Sequence, residues 1–146
     1  VLGLFLSAFI ASAVLYSKRQ AVVRRILYYP SYDSDLLCAE ARYLPANPLQ
    51  GDYNPPKADA ALFLDELLLG PMTNRYKRIF PRGTKALYCF EKGATLYVGV
   101  SEEALQGGEG LTVREAVDLL RLNIVKNFTY LNKIDVSIDS KSAFEE

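Results

Sequence analysis

The chain has 146 residues, of which 50% are hydrophobic and 23% are charged. This length and composition predict one folded domain with at most a short appendage, and they exclude a disordered chain. The 17 basic and 17 acidic residues cancel, so the net charge gives no reason to expect nucleic acid as a partner. Histidine is absent, which removes the commonest general base and metal ligand. We therefore expect no catalytic residue, no metal and no cofactor.

The N-terminal segment, Val1 to Tyr16, contains no charge and is followed by Ser17-Lys18-Arg19. A membrane-spanning helix needs about 20 apolar residues, so this segment is slightly short. Because the chain does not begin with Met, we expect the segment to be longer in the full protein. Ala11-Ser12-Ala13 also fits a signal-peptide cleavage site, and a buried core helix is a third alternative. We predict an uncleaved transmembrane anchor over residues 1–20.

The next part of the chain predicts two strands and a helix. Ile26 to Tyr29 is β-rich and stops at Pro30, and Glu40 to Leu44 has the composition of a second strand. After a polar loop, a helix is predicted from about Pro56 to Leu69, with Gly70-Pro71 as its cap and stop. The apolar residues of this helix have the spacing of a core-facing stripe: Ala60, Phe63, Leu64, Leu67 and Leu68.

The second half of the chain predicts a hairpin, a helix and a closing strand. Lys85 to Phe90 and Ala94 to Ser101 are the strands of the hairpin. Thr112-Val113-Arg114-Glu115 is a capping box that opens an amphipathic helix, and Ile134 to Ile138 alternates as the last strand. The segment Gly107 to Gly110 lacks the glycine spacing of a phosphate-binding loop, so we interpret it as a flexible connector.

Several short motifs occur along these elements in a distinctive order: Ile26 to Tyr29, then Leu37, Glu40 and Arg42, then Leu64 to Pro71, Phe80 to Thr84, and finally Phe128 with Ile134 to Asp139. This order resembles the GerMN domain, a sporulation and spore-germination module of bacterial envelope proteins. The resemblance implies an α+β fold, in which a single small domain has a mixed or antiparallel sheet with two helices packed on one face, similar to ring-building motifs. We assign residues 24–141 to this domain and residues 142–146 to a polar tail. Gly99 stands where the family commonly has Asp, so a ligand role for that Asp does not carry over.

The resemblance also implies a function. It points to a non-enzymatic module of a bacterial envelope assembly, which binds other envelope proteins or itself. Its other expected contacts are with the membrane and the cell wall, and not with nucleic acid. Residues 1–20 would hold it in the cytoplasmic membrane by a single pass, with the domain in the periplasm or extracytoplasmic space. The basic residues Lys18, Arg19, Arg24 and Arg25 conflict with this orientation, because the positive-inside rule places such a flank in the cytoplasm. The alternative function is a domain that binds cell-wall glycan or a small ligand.

The chain contains two cysteines, Cys38 and Cys89, which are too few for a disulfide framework. They could form one bridge in an oxidising compartment, because disulfides persist there. The alternative is that both stay unpaired and behave as small buried hydrophobic residues. We expect the unpaired state.

The candidate partner-binding surface joins the first helix of the domain to the loop that follows it. Leu62 and Leu69 lie seven residues apart and off the core stripe, so they form a second apolar ridge. The loop from Arg75 to Lys85 has no acidic residue and interleaves basic with aromatic side chains. We predict that partners bind Leu62, Leu69, Arg75, Tyr76, Lys77, Arg78 and Arg82. The alternatives are that the helix is simply sandwiched and that the loop is only solvated.

Overall fold

The computed structural model describes residues 2–17, 21–46 and 59–142. Its helices and strands, in chain order, are α1 (Leu2–Ser17), β1 (Val22–Pro30), β2 (Leu37–Pro45), α2 (Asp59–Leu69), β3 (Ala86–Lys92), β4 (Thr95–Val100), α3 (Val113–Asn127), β5 (Lys133–Ile138) and β6 (Lys141–Ser142). A short 3-10 helix, Glu102–Gln106, follows β4 and was not predicted. The α+β class predicted from the sequence is confirmed.

The strands form two sheets, where the sequence predicted one. β1 and β2 pair antiparallel over their full length, from Val22 opposite Pro45 to Pro30 opposite Leu37. The second sheet has the order β3-β4-β5-β6 and is mixed, because β4 and β5 are parallel while the other pairs are antiparallel. The 3-10 helix and α3 provide the long crossover that a parallel pair requires.

The helices α2 and α3 join the two sheets. α2 contacts β2 and β3, α3 contacts β1 and β5, and the two helices contact each other. Leu96, Val98 and Val100 of β4 are fully buried on one face, as their alternation predicts. The rings of Phe63 and Phe128 meet edge to face, with their centres 5.4 Å apart. The core therefore lies between the helices and the inner faces of both sheets, and Leu27 and Tyr29 of β1 are fully buried in it.

Local sequence signals set the ends of both domain helices. The Thr112 hydroxyl accepts a hydrogen bond from the Glu115 amide at 3.3 Å, and the Glu115 carboxylate accepts one from the Thr112 amide at 2.7 Å. The predicted capping box at the start of α3 is thus confirmed. Gly70 follows α2 with a φ of 85°, the left-handed conformation that suits a glycine cap.

Two predicted boundaries fall at the edges of the described chain. α2 begins at Asp59, and the predicted start at Pro56, like the rest of residues 47–58, lies outside the described residues. Ser142 belongs to β6 and pairs with Ser137, so the assignment of residue 142 to a tail is wrong. The hydrogen-bonded pairing continues because the turn at Asp139 and Ser140 reverses the chain onto β5. Residues 143–146 lie outside the described residues.

The apolar N-terminal segment forms α1, which is 16 residues long. Its large side chains are open to solvent, with Phe5 at 71%, Phe9 at 73% and Leu15 at 70% exposure. Within the described part of the chain, every helix falls short of the combined length and hydropathy that a membrane crossing needs. The predicted single-pass span is therefore not supported, and Lys18-Arg19 of its flank lie outside the described residues.

Candidate interaction surface

The two leucines predicted to bind a partner differ in exposure. Leu69, the last residue of α2, is 64% exposed, whereas Leu62 is only 5% exposed. The prediction of an apolar ridge that includes Leu62 is wrong on this point. Because α2 contacts β2, β3 and α3, it buries more of its circumference than the core stripe alone suggests. Of this pair, Leu69 alone is open to a partner.

The first part of the loop from Arg75 to Lys85 packs against the turn between β1 and β2. Tyr76 forms an isolated bridge with Ser31, and the Arg75 carbonyl oxygen accepts a hydrogen bond from the Tyr32 amide at 3.3 Å. The Lys77 ammonium lies 5.9 Å from the centre of the Tyr32 ring, within reach of a cation–π contact. These three loop residues therefore do not share a groove with Leu69.

The second part of the loop forms a groove with the end of α2. The groove has a volume of about 530 Å³ and is lined by Asp65, Leu68, Leu69, Arg78, Arg82 and the turn from Gly83 to Ala86. We name it the basic groove, because Arg78, Arg82 and Lys85 face a single acidic residue, Asp65. The structure thus brings together three of the seven predicted residues. Asp65 was missed, although its position one helical turn before Leu69 places both on the same side of α2.

The cations of the basic groove have different roles. The Arg78 guanidinium donates to the carbonyl oxygen of Leu69 at 2.6 Å, which satisfies a carbonyl group at the C-terminus of α2. A Cβ atom on Gly70 would lie 2.6 Å from the same nitrogen, so this approach requires glycine. Arg82 and Lys85 are exposed and form no ion pair with any described residue. Arg78 therefore shapes the groove, while Arg82 and Lys85 remain open to an anionic partner.

A second arginine cluster, on β2, is internal. Arg42 donates to the carboxylates of Glu40 and Glu66 and to the carbonyl oxygen of Gly70, at 2.6, 2.7 and 2.7 Å. Glu40 also accepts a hydrogen bond from the Met72 amide at 3.1 Å. The Arg42 side chain is 11% exposed, so these charge-assisted bonds are largely shielded from water. Glu40 and Arg42 thus fasten β2 to the end of α2.

Two asparagines of α3 close the free edge of β1. Asn123 accepts from the Tyr28 amide at 2.7 Å and donates to the Tyr28 carbonyl oxygen at 2.9 Å. Asn127, one turn later, accepts from the Ile26 amide at 3.1 Å and donates to the Ile26 carbonyl oxygen at 2.7 Å. The side-chain amides thus replace the strand that would otherwise extend the sheet. This explains why β1 and β2 form a separate sheet.

The segment from Gly107 to Gly110 is fastened to the domain, contrary to its interpretation as a flexible connector. The Glu109 carboxylate accepts hydrogen bonds from the Tyr32 hydroxyl and, at 3.1 Å, from the Arg78 amide. The bond from Tyr32 contributes most to holding the pKa of Glu109 below its usual range, and the Arg78 amide and charge add to it. Gly108 lies directly against the carbonyl oxygens of Arg78 and Ile79, where a Cβ atom would not fit.

The outer face of the second sheet explains the glycine at position 99. The Tyr88 ring lies across Gly99 in the space that a side chain would fill, and its hydroxyl is hydrogen-bonded to Ser137. Phe90 continues this face, stacked on Tyr97 with ring centres 5.1 Å apart. Tyr88 therefore fills the space that any side chain at position 99 would need.

The two cysteines are free, Cys38 on β2 and Cys89 on β3. Burial, with the nearby Glu91 and Asp65 carboxylates, raises the pKa of Cys89 to about 12. Its thiol is therefore protonated near neutral pH and is a poor nucleophile. Among the described residues, no group of three or more His, Cys, Asp and Glu side chains is arranged to hold a metal ion.

The geometry defines a small α+β module in which the charged and amide clusters mostly join one element to another. Residues 26–143 match the Germane family, described as sporulation and spore germination, and the chain belongs to this family. The fold is similar to that of the first GerMN domain of the sporulation protein GerM from Bacillus subtilis, at 18% identity and a TM-score of 0.60, over 83% of this chain and 86% of that one. It is also similar to the tandem GerMN domains of the same protein, at 18% identity and a TM-score of 0.63, over 86% of this chain and 42% of that one. None of the curated proteins compared with the chain matches it.

Proposed function

We propose that the chain is a non-catalytic scaffold module of a bacterial envelope assembly, which binds a partner protein through the basic groove and lies on the extracytoplasmic side of the membrane. The observation that carries this proposal is the exposure of Leu69 in a groove that it shares with Arg82 and Lys85, two exposed cations that form no ion pair with a described residue. An apolar contact beside open charges is the usual composition of a protein-binding surface, in which the apolar part gives affinity and the charges orient the partner.

The use of the internal polar residues supports a role without catalysis. Arg42 donates to Glu40, to Glu66 and to the Gly70 carbonyl oxygen in the turn after α2. Asn123 and Asn127 bind the backbone of β1. A catalytic site instead needs a nucleophile, a base and an orienting group that converge on open space, and these polar residues are committed to backbone and side-chain partners.

The exposed apolar surface of α1 supports attachment to the membrane. An uncharged helix with apolar side chains on all sides needs an apolar cover, which lipid provides. We infer that α1 holds the domain at the membrane, with residues from β1 onward outside the cytoplasm. Replacing Phe5 and Phe9 by Asp should release the chain from the membrane fraction, whereas the same change at the exposed Tyr130 should not. Added protease should digest the domain in spheroplasts, and full protection there would contradict the orientation.

Binding through the basic groove is tested by one substitution and its matched control. Leu69→Asp should abolish the complexes that chemical cross-linking captures in cells. Leu105→Asp should leave them intact, because Leu105 is similarly exposed at 59% and does not line the groove. Both variants should show the circular dichroism of the unchanged protein. Complexes that survive Leu69→Asp would overturn the assignment of the groove.

A second candidate function, binding of cell-wall glycan, is favoured by the outer face of the second sheet. Tyr88 and Phe90 are 38% and 52% exposed there, with ring centres 5.8 Å apart. Aromatic faces beside a carboxylate group, here that of Asp135 opposite Tyr97, suit stacking on sugar rings. Phe90→Ala should then reduce co-sedimentation with purified cell walls, while Leu69→Asp should leave it unchanged. Equal sedimentation of both variants would remove this candidate.

A further inference from the structure

The strand β2 has an inverted pattern of polar and apolar side chains. Glu40 and Arg42 point into the domain, and their side chains are 13% and 11% exposed. The residues that alternate with them are exposed and carry no charge: Leu37, Ala39, Ala41 and Tyr43. An antiparallel sheet with one face in water normally places its apolar residues inside and its polar residues outside. The exposed side of β2 therefore has the composition of a contact surface.

The strand β1 widens this surface. Its pairing with β2 places Ile26 opposite Ala41, and Arg24 lies opposite Tyr43 on the same side. Val22 comes two residues before Arg24, so its side chain also points to this side. Val22 is 58% exposed and Tyr43 is 65% exposed. We name this surface the outer face of the first sheet.

Two cations accompany the outer face of the first sheet. Arg24 is exposed on it, and the Lys126 ammonium lies 5.2 Å from the centre of the Tyr28 ring. Neither cation forms an ion pair with a described residue. Tyr28 is on the same face, because it alternates with the buried Leu27 and Tyr29.

The acidic residues around this face lie at its other end. Asp35, Glu115 and Asp118 line a depression beside Leu37, at the end of the sheet farthest from Val22. Asp118 is also paired with Arg121 at 3.5 Å. The outer face of the first sheet is therefore basic toward the start of β1 and acidic beyond its far end.

The chain holds the basic end of this face close to α1. Residues 18–21 are all that separate the end of α1 at Ser17 from the start of β1 at Val22. Consecutive Cα atoms lie about 3.8 Å apart, so these five steps span at most about 19 Å. Tyrosine is enriched where proteins meet lipid headgroups, and basic side chains are attracted to an anionic membrane surface.

We propose that the outer face of the first sheet rests on the membrane surface and binds anionic lipid headgroups. This inference rests on the proposed function, because it requires that α1 holds the chain at the membrane. Val22 and Tyr43 would enter the headgroup layer, while Arg24 and Lys126 would bind lipid phosphate groups. The lipid surface is favoured over a partner protein because the short connection to α1 keeps it within reach and because the cations lie toward the start of β1.

This contact would fix the orientation of the whole domain. α2 packs on the inner side of β2, where Arg42 donates to Glu66 at 2.7 Å. The basic groove lies at the end of α2. A domain that rests on the outer face of its first sheet would therefore hold the basic groove away from the lipid, open to a partner.

A tryptophan placed on this face tests the inference, because the chain contains none of its own. Tyr43→Trp puts the probe on the outer face of the first sheet. Leu105→Trp is the matched control, since Leu105 is similarly exposed at 59% and lies in the 3-10 helix after β4. Each full chain is reconstituted into vesicles of phosphatidylcholine and phosphatidylglycerol, with or without bromine on the acyl chains. Both leaflets have the same composition, so the side of the vesicle on which the domain lies does not affect the result.

Bromine should quench the tryptophan at position 43 strongly and the one at position 105 little. Arg24→Gln with Lys126→Gln, added to Tyr43→Trp, should weaken docking by roughly fivefold for each cation, so most of the quenching should be lost. Vesicles of phosphatidylcholine alone, or high salt, should have the same effect on Tyr43→Trp itself. Circular dichroism should be the same for all of these chains.

Flotation of the vesicles measures attachment through α1 separately. If the chain floats but position 43 is not quenched, or positions 43 and 105 are quenched equally, the inference is overturned and the proposed function stands. Quenching at position 43 that does not depend on Arg24, Lys126 or the anionic lipid would also overturn it. A chain that does not float with the vesicles would overturn both the inference and the proposed attachment.

Discussion

Arg42 and Arg82 show how differently the same residue type is used on two sides of α2. Arg42 has a side-chain exposure of 11% and binds two carboxylates and a backbone carbonyl group. Arg82 is exposed, with no ion pair among the described residues. The internal cluster holds β2 to α2, and the external one is available for binding. Charge in the sequence therefore does not reveal which arginine stabilises the fold and which one meets a partner.

The largest effect on stability should come from breaking the internal cluster. Arg42→Ala leaves Glu40 and Glu66 without their shared cation and Gly70 without a donor, so we expect a loss of about 3 kcal/mol in the free energy of unfolding. Arg42→Lys should recover only part of it, because an ammonium group cannot donate to these acceptors as a planar fork. Urea denaturation followed by circular dichroism measures both values. A loss of less than about 1 kcal/mol for Arg42→Ala would contradict the structural role of the cluster.

The second largest loss of stability should come from removing the side chain that binds the free edge of β1. Asn123→Ala removes both hydrogen bonds to the Tyr28 backbone from a fully buried position, and we expect it to cost about 2 kcal/mol. Asn132→Ala is the matched control, because Asn132 is exposed and should change stability by less than about 0.5 kcal/mol. Hydrogen exchange should also accelerate at the Tyr28 amide in Asn123→Ala. Unchanged protection there would show that Asn123 does not close this edge.

Local features of the fold could be predicted from the sequence, and long-range ones could not. The capping box at Thr112 and the glycine cap at Gly70 depend on neighbours within four residues. The asparagine contacts join residues 95 and 101 positions apart, so no local pattern indicates them. They are also the reason that one predicted sheet is divided into two. Leu62 was misplaced for a related reason, since α2 packs against β2, β3 and α3, which are distant from it in sequence or follow it.

The candidate site could be predicted only where its residues are neighbours in the sequence. Leu69, Arg78 and Arg82 lie close together in sequence, and the turn after α2 brings them to one groove. Arg75, Tyr76 and Lys77 are equally close in sequence, but the bridge to Ser31 turns them toward the β1–β2 turn. That bridge joins residues 45 positions apart, which composition and spacing do not reveal.

A third and smaller effect on stability concerns the outer face of the second sheet. This face is partly exposed, like the basic groove, but its side chains are held by contacts within the domain, like those of the Arg42 cluster. Gly99→Ala should displace the Tyr88 ring, break its hydrogen bond to Ser137 and cost about 1 kcal/mol. In a Tyr88→Ala background the same change should cost much less, because the clash is gone. Urea denaturation of the unchanged chain, the two single variants and the double variant gives the coupling energy between positions 88 and 99. Equal costs in both backgrounds would mean that Tyr88 does not restrict position 99.

The smallest effect on stability should come from the external cluster. Arg82→Ala combined with Lys85→Ala should change the free energy of unfolding by less than about 0.5 kcal/mol, since neither side chain has an ion-pair partner in the described chain. The same variant should weaken partner binding, and this loss should shrink as salt rises. A destabilisation similar to that of Arg42→Ala would show that both clusters serve the fold.

The most direct measurement is site-specific photo-cross-linking in cells, with the photoreactive residue at position 69 in one variant and at position 105 in the other. The two positions have similar exposure, 64% and 59%, and only position 69 lines the basic groove. We predict a discrete cross-linked protein product from position 69 and none from position 105. No product from position 69, or the same product from both positions, would contradict the claim that the basic groove is the binding surface.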